Sequence, residues 1–280
     1  MTLSQDILLN DGNRIPRLGF GVWRVPDAEA PALVGAAIAA GYRHIDTAQG
    51  YDNERGVGRA VREAAVPRDQ LFITSKQRTS HQGRDSTFRS FDETMERLGL
   101  ETLDLFLIHW PVPAQGRYVE TWQAFVELQK QGRVRSVGVS NFLPEHLERI
   151  IGETGVTPAV NQVELHPRYQ QRDLVAWHGT HGIVTESYSP LGGNGAELLR
   201  EKTIQDIAQR AGKTPAQVVI RWHLQRNLVV LPKTSNPQRA ASNLDVWNFE
   251  LSDQDMAEIA ALDRPDGKIL PGPQAMNNLF

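Results

Sequence analysis

Short apolar runs recur along the chain, separated by longer amphipathic stretches. Eight runs stand out: Leu18–Val22, His44–Thr47, Leu71–Lys76, Leu103–His109, Val134–Ser140, Ala159–Glu164, Ile183–Tyr188 and Leu228–Leu231. Most are near-continuously apolar and rich in Leu or β-branched residues, as strands covered on both faces of a parallel sheet should be. The stretches between them carry a helical period with recognisable ends. Asn53-Glu54 opens one that sets Val57 and Val61 on one face and closes at Pro67. Tyr118–Gln131 aligns Val119, Trp122, Phe125, Val126 and Gln129 before Gly132, and Pro144 begins another with Leu147, Ile150 and Ile151 inward. Thr214-Pro215 pairs a hydroxyl cap with proline at the first helical position. Eight strand–helix units in 280 residues predict an α/β fold, a (β/α)8 TIM-type barrel occupying 1–280 as a single domain. A doubly wound open sheet is the competing arrangement.

Two pieces fall outside the repeat. Ile7-Leu8-Leu9, the turn Asn10-Asp11-Gly12-Asn13 and Arg14-Ile15 predict an N-terminal β-hairpin that could cap the bottom of the barrel. Ser252–Leu262 predicts an extra C-terminal helix capped by Ser252, followed by a tail, Pro265–Phe280, rich in Gly, Pro and Asn. The tail has no aromatic residue before Phe280 and is expected to make a poor apolar lid.

Composition narrows the function classes. The net charge is −3 with both signs dispersed, so neither a nucleic-acid footprint nor a polybasic membrane patch is expected. The chain has no cysteine, which excludes disulfides, thiol catalysis and cysteine-held metal centres. Ala30–Gly41, the longest nearly uncharged apolar stretch, is too short to span a bilayer. The first residues lack the basic and apolar regions of a secretion signal. A cytoplasmic protein, monomeric and acting on a small molecule, is the expectation. His178 and His181 share a helix face without a third ligand, so no metal site is expected.

In a barrel of this kind the chemistry collects at the C-terminal ends of the strands. Asp46 ends the second run, Tyr51 follows it, Lys76 ends the third and His109 ends the fourth. Four ionisable groups thus converge on one rim. A phenol is a poor acid near neutrality, and a neighbouring ammonium is expected to lower its pKa, with a carboxylate keeping that ammonium charged. Asp46, Lys76 and Tyr51 could then relay a proton to a developing alkoxide while His109 orients the same oxygen. A simple rim salt bridge between Asp46 and Lys76 is the plainer alternative. After the eighth run, Lys233, Thr234, Ser235 and Arg239 surround a helix start at Asn236-Pro237, a composition suited to a phosphate, although a capped helix with solvated cations would read the same way.

The segments Gly41-Tyr-Arg-His-Ile-Asp-Thr-Ala48, Tyr51-Asp-Asn-Glu54, Phe72-Ile-Thr-Ser-Lys76, Asp104-Leu-Phe-Leu-Ile-His-Trp-Pro111, Val137-Gly-Val-Ser-Asn-Phe142, Asn161-Gln-Val-Glu-Leu-His-Pro167 and Leu231-Pro-Lys233 resemble, in order, those of the aldo-keto reductase family. Leu9–Asn13, Pro158–Gln162 and Lys213–Gln217 look closest to bacterial 2,5-diketo-D-gluconate reductases. The resemblance implies NADPH-dependent reduction of aldehydes or ketones, polar or sugar-derived, with Tyr51 as proton donor assisted by Lys76, Asp46 and His109. It also implies that Ser140, Asn141 and Gln162 bind the nicotinamide carboxamide and that Tyr188 stacks beneath the ring. Ser189, Leu191 and Gly192 would follow the pyrophosphate, with Lys233, Thr234, Ser235 and Arg239 around the 2′-phosphate and Asn243 at the adenine. Ser242 stands where many relatives carry an acidic residue.

Three departures bear on substrate. Relatives commonly read Lys-Leu-Trp where this chain has Lys76-Gln77-Arg78, so Arg78 could favour anionic substrates or simply face solvent. Gln49, where Ala is frequent, could add a hydrogen-bonding group near the carbonyl. The tail offers little apolar closure, and Trp23 and Trp110 are candidate pocket walls. Two other classes stay open: a Schiff-base aldolase using Lys76, and a non-catalytic NADPH-binding sensor.

Overall fold

The computed structural model describes residues 3–193 and 197–280. Two short strands, β1 (Asp6–Leu8) and β2 (Arg14–Pro16), form the antiparallel hairpin, with Ile7 opposite Ile15. Eight more follow: β3 (Gly19–Gly21), β4 (His44–Asp46), β5 (Phe72–Gln77), β6 (Leu103–Ile108), β7 (Val134–Ser140), β8 (Val160–Glu164), β9 (Val184–Tyr188) and β10 (Val229–Val230). They pair in sequence order, each parallel to the next. A parallel bridge between Leu18 and Val230 joins the two ends of that order. Each apolar run matches one strand to within a residue at either end.

The helices are α1 (Ala30–Ala40), α2 (Glu54–Glu63), α3 (Arg84–Leu98), α4 (Tyr118–Lys130), α5 (Pro144–Thr154), α6 (Arg172–Thr180), α7 (Lys202–Ala211), α8 (Pro215–Gln225), α9 (Pro237–Leu244) and α10 (Asp253–Ala260). The predicted caps form: Thr214 Oγ1 accepts from Gln217 N at 3.3 Å, and Gln217 Oε1 accepts from Thr214 N at 2.8 Å. Ser252 makes the equivalent exchange with Asp255 at the start of α10. Such caps contribute about 1 kcal/mol each. α7 lies between β9 and α8, outside the regular strand–helix alternation. Its buried face is Ile204, Ile207 and Ala208.

Two packed layers position the site. Between strands and helices runs the main core, including Phe20, Ile45, Phe91, Phe106, Phe125 and Ile220. Inside the barrel floor, Phe72, Leu105, Leu107, Val160 and Val229 meet Ile7, Leu9 and Ile15 of the hairpin segment. The hairpin therefore seals the bottom, and Asn10 Nδ2 fastens it to Pro158 O at 3.0 Å. Among the described residues, no helix is long and apolar enough to cross a membrane.

Candidate active site

Strand register builds the upper layer. Asp46 pairs with Thr74, so Lys76, two residues further along β5, projects from the same face. Lys76 pairs with Leu107, which puts His109 on that face as well. Ser140 pairs with Gln162, and Gln162 with Glu186, carrying the face around to β9. A polar ring therefore follows from residue parity alone.

Lys76 Nζ is its hub. It donates to Asp46 Oδ1 at 2.6 Å, to Thr47 O at 3.0 Å and to Tyr51 OH at 3.4 Å, with no side-chain exposure. Burial would lower the Lys76 pKa, but Asp46 together with Tyr51 and Glu186 outweighs it, and the ammonium is held charged above its ordinary value. For Tyr51 the expected direction is corrected. Burial pushes the phenol up, and Lys76, although it pulls the other way, does not overcome burial combined with Asp46 and Glu186. Tyr51 consequently retains its proton near neutrality and can donate it only as negative charge develops beside it.

The His109 ring stands 5.8 Å from that of Tyr51, edge to face. Burial, then the Lys76 charge, holds its pKa well below the usual value, so the imidazole is neutral. Nδ1 is buried without a partner among the described residues. An N–H there would have no acceptor, which places the single ring proton on Nε2.

A second network adjoins the first. Asn141, at φ 63°, turns its Nδ2 to His109 O and Ser140 Oγ, both at 3.0 Å. Its Oδ1 accepts from Tyr188 OH at 2.8 Å, and Ser140 Oγ donates to Gln162 O at 2.8 Å. Gln162 Nε2 spends both hydrogens, on Asp46 Oδ2 at 2.9 Å and Glu186 Oε2 at 2.7 Å. Acceptor capacity is left at Asn141 Oδ1 and Gln162 Oε1, complementary to the NH2 of a carboxamide. Beyond Tyr188, Ser189 (φ 49°), Leu191 and Gly192 (φ 80°) form a turn. Lys233 and Arg239 are exposed beside Thr234 and Ser235, and neither cation is ion-paired among the described residues. Asn236 caps the start of α9, and Asn243 is buried on that helix.

Gln49 and Arg78 both find partners within the protein. The Gln49 amide is used up within the protein: Nε2 donates to Ser90 O and Thr94 Oγ1, while Oε1 accepts from Arg78 N and lies 3.2 Å from His81 Nδ1. Arg78 is partly exposed but engaged within the protein. Its Nε donates to Gln49 O at 3.0 Å and its guanidinium pairs with Asp52, so it clasps both ends of the turn that carries Tyr51. Both residues line a polar cleft with Ser80, His81 and Arg97 that includes none of Asp46, Tyr51, Lys76 or His109. Direction in a tight turn, not residue type, decides these roles.

The tail also departs from expectation. Glu164 receives Ile269 N at 2.6 Å and Leu270 N at 2.9 Å, and Thr79 Oγ1 binds Phe280 N at 2.9 Å, so the tail crosses the mouth from β8 to β5. Phe280 then sets its ring 5.3 Å from His109. A Cβ on Gly50 would fall 2.9 Å from that ring, so the Tyr51 turn makes room for it. Sequence carried no local signal for this contact across so many residues. Trp110 is buried beside His109, whereas Trp23 is 44% exposed with Arg24 over its ring.

The profile of the aldo/keto reductase family matches residues 17–264. The chain belongs to this family. Aldo-keto reductases similar to it include one from Mycolicibacterium smegmatis, 52% identical over 98% of this chain and 99% of that protein. The methylglyoxal reductase DkgA of Escherichia coli K12 is 50% identical over 92% of this chain and 93% of its own length. Among solved structures, a point mutant of Gox0644 in complex with NADPH superposes with a TM-score of 0.93. It is 48% identical and covers 98% of this chain and 99% of its own.

Proposed function

We propose that this aldo-keto reductase uses NADPH to reduce small polar aldehydes and ketones, 2-oxoaldehydes and sugar-derived carbonyls foremost, with Tyr51 as general acid. The carrying observation is the Asp46–Lys76–Tyr51 chain, closed at 2.6 and 3.4 Å beside a neutral His109. The methylglyoxal-reducing and NADPH-bound relatives support the substrate class and cofactor. The chemistry of the donor set fits the cofactor. Asn141 Oδ1 and Gln162 Oε1 suit a carboxamide NH2, Tyr188 offers its ring, and unpaired Lys233 and Arg239 beside hydroxyls suit a 2′-phosphate that NAD lacks. NADPH when bound supplies the hydride.

The side chains would divide the remaining work. His109 Nε2–H and Tyr51 OH hold the carbonyl oxygen from two directions. As that oxygen gains charge, Tyr51 releases its proton to it, and Lys76, kept charged by Asp46, stabilises the phenolate left behind. Phe280 and the buried Trp110 exclude water from the mouth. A Schiff base on Lys76 would require a neutral, reachable amine, which its burial and pairing with Asp46 oppose. The substitution Tyr51→Phe tests the assignment. It should lower kcat by about 10²–10⁴-fold while NADPH affinity stays within a factor of about two, because only the proton donor is removed. Full turnover in that variant would reject Tyr51 as the acid.

A further inference from the structure

Glu186 is a carboxyl in the barrel interior that the reaction above does not use. It is fully buried, flanked on its own strand by Thr185 and Ser187, and reaches Gln162 Nε2 at 2.7 Å. That same nitrogen donates to Asp46 Oδ2 at 2.9 Å, so one amide bridges two carboxyl groups. Glu186 Oε1 has no hydrogen-bond partner among the described residues, and His44 Nε2 lies 3.7 Å from it.

We propose that Glu186 is a positioning residue for the reduction, tying the Asp46–Lys76 pair to the carboxamide subsite by committing both Gln162 Nε2 hydrogens to carboxyl oxygens. Gln162 then presents only Oε1 to a carboxamide and cannot rotate its amide to offer a donor instead. This inference rests on the proposed NADPH reading for its consequence, but not for its geometry.

The charge arithmetic of the layer settles the form Glu186 takes. Asp46 and Lys76 already neutralise each other, His44 is held neutral by burial, and Tyr51 keeps its proton. A second carboxylate would leave uncompensated charge in a dry interior. Burial, reinforced by the Asp46 charge, pushes the Glu186 pKa up to about 8 against the weaker pull of Gln162 and Lys76. One proton is therefore stored beneath the site near neutrality. Its loss would add negative charge next to Tyr51 and oppose proton donation.

Two measurements on Glu186→Gln and Glu186→Leu test this. Because the folded pKa lies above the ordinary carboxyl value, the wild type loses stability as pH rises from about 4.5 through about 8. The Tm of E186Q minus that of the wild type should thus grow from pH 5 to about pH 8 and then level off, with no cofactor present. Parallel curves would overturn the stored proton. NADPH dissociation constants, read by quenching of protein fluorescence, should rise about tenfold in E186L and be largely restored in E186Q. Wild-type kcat should also fall further from pH 7 to 9 than that of E186Q, because ionised Glu186 opposes proton donation by Tyr51. Should E186L fail to fold, this pH comparison decides alone. Wild-type affinity for E186L, or identical pH profiles for E186Q and wild type, would overturn the positioning role. Failure of the wild type to bind NADPH would instead strike the proposed function and leave the Tm result standing.

Discussion

Asp46→Asn removes one charge and almost no volume, so its effect measures the electrostatic core of the site. The carboxylate lies 2.6 Å from Lys76 Nζ, with side-chain exposures of 5% and 0%. At an effective dielectric of about 20, the direct attraction is about 6 kcal/mol, and breaking a buried pair from one side costs about 3–5 kcal/mol. Lys76 keeps Thr47 O as an acceptor at 3.0 Å, and asparagine retains an oxygen, which places this case near the lower figure. For a chain of this size, about 3 kcal/mol corresponds to a Tm drop of about 6 °C. With Asp46 neutral, burial acts on Lys76 less opposed and lowers its pKa, so the ammonium stabilises a Tyr51 phenolate less well. Turnover should fall by about 10²-fold, and the alkaline limb of its pH profile should move to lower pH. Calorimetry and steady-state NADPH oxidation read the two effects separately. A Tm within about 1 °C of the wild type with kcat within about threefold would refute the reasoning, because neither the pairing nor its transmission to Tyr51 would then matter.

Arg78→Ala should lower kcat several-fold for neutral and anionic carbonyls alike, with KM little moved, because the clasp on the Tyr51 turn is lost; a KM rise confined to anionic substrates would restore Arg78 as their receptor. Its exposed pair with Asp52 is worth only about 0–1 kcal/mol, so Tm should barely change. Arg239→Ala should weaken NADPH binding far more than NADH binding, and equal losses by titration would remove the 2′-phosphate assignment. Burial holds His44, His178 and His223 at pKa values of about 4, below the ordinary imidazole value. Their contribution to stability is therefore complete above pH 6.5 and is lost as pH falls toward 4. A thermal-denaturation series that stays flat across that window would contradict the assignment.

The barrel was legible because buried parallel strands write themselves as apolar runs, and helix ends carry chemical marks such as Thr214-Pro215. The rim was legible for a related reason: an ionisable residue at the end of an apolar run, as Asp46, Lys76 and His109 are, has few places to go except the mouth. Gln49 and Arg78 were misplaced because a side chain in a tight turn can point either way, and their partners Ser90, Thr94 and Asp52 are set by tertiary packing. Phe280 was missed because nothing local links a tail to a strand end so distant in sequence. Glu186 did carry a signal. It sits two residues before Tyr188 on β9, on the same inward face by strand parity, and a carboxyl among Val184, Thr185 and Ser187 belongs on no ordinary barrel face.

Hydride and proton delivery to one C=O can be followed most directly with NADPH carrying deuterium at the transferable position. Incubated with the wild-type enzyme and a 2-oxoaldehyde, it should yield an alcohol bearing a single deuterium on the former carbonyl carbon, at a rate that collapses in Tyr51→Phe. An unlabelled product, or label transfer as fast in that variant as in the wild type, would contradict the account.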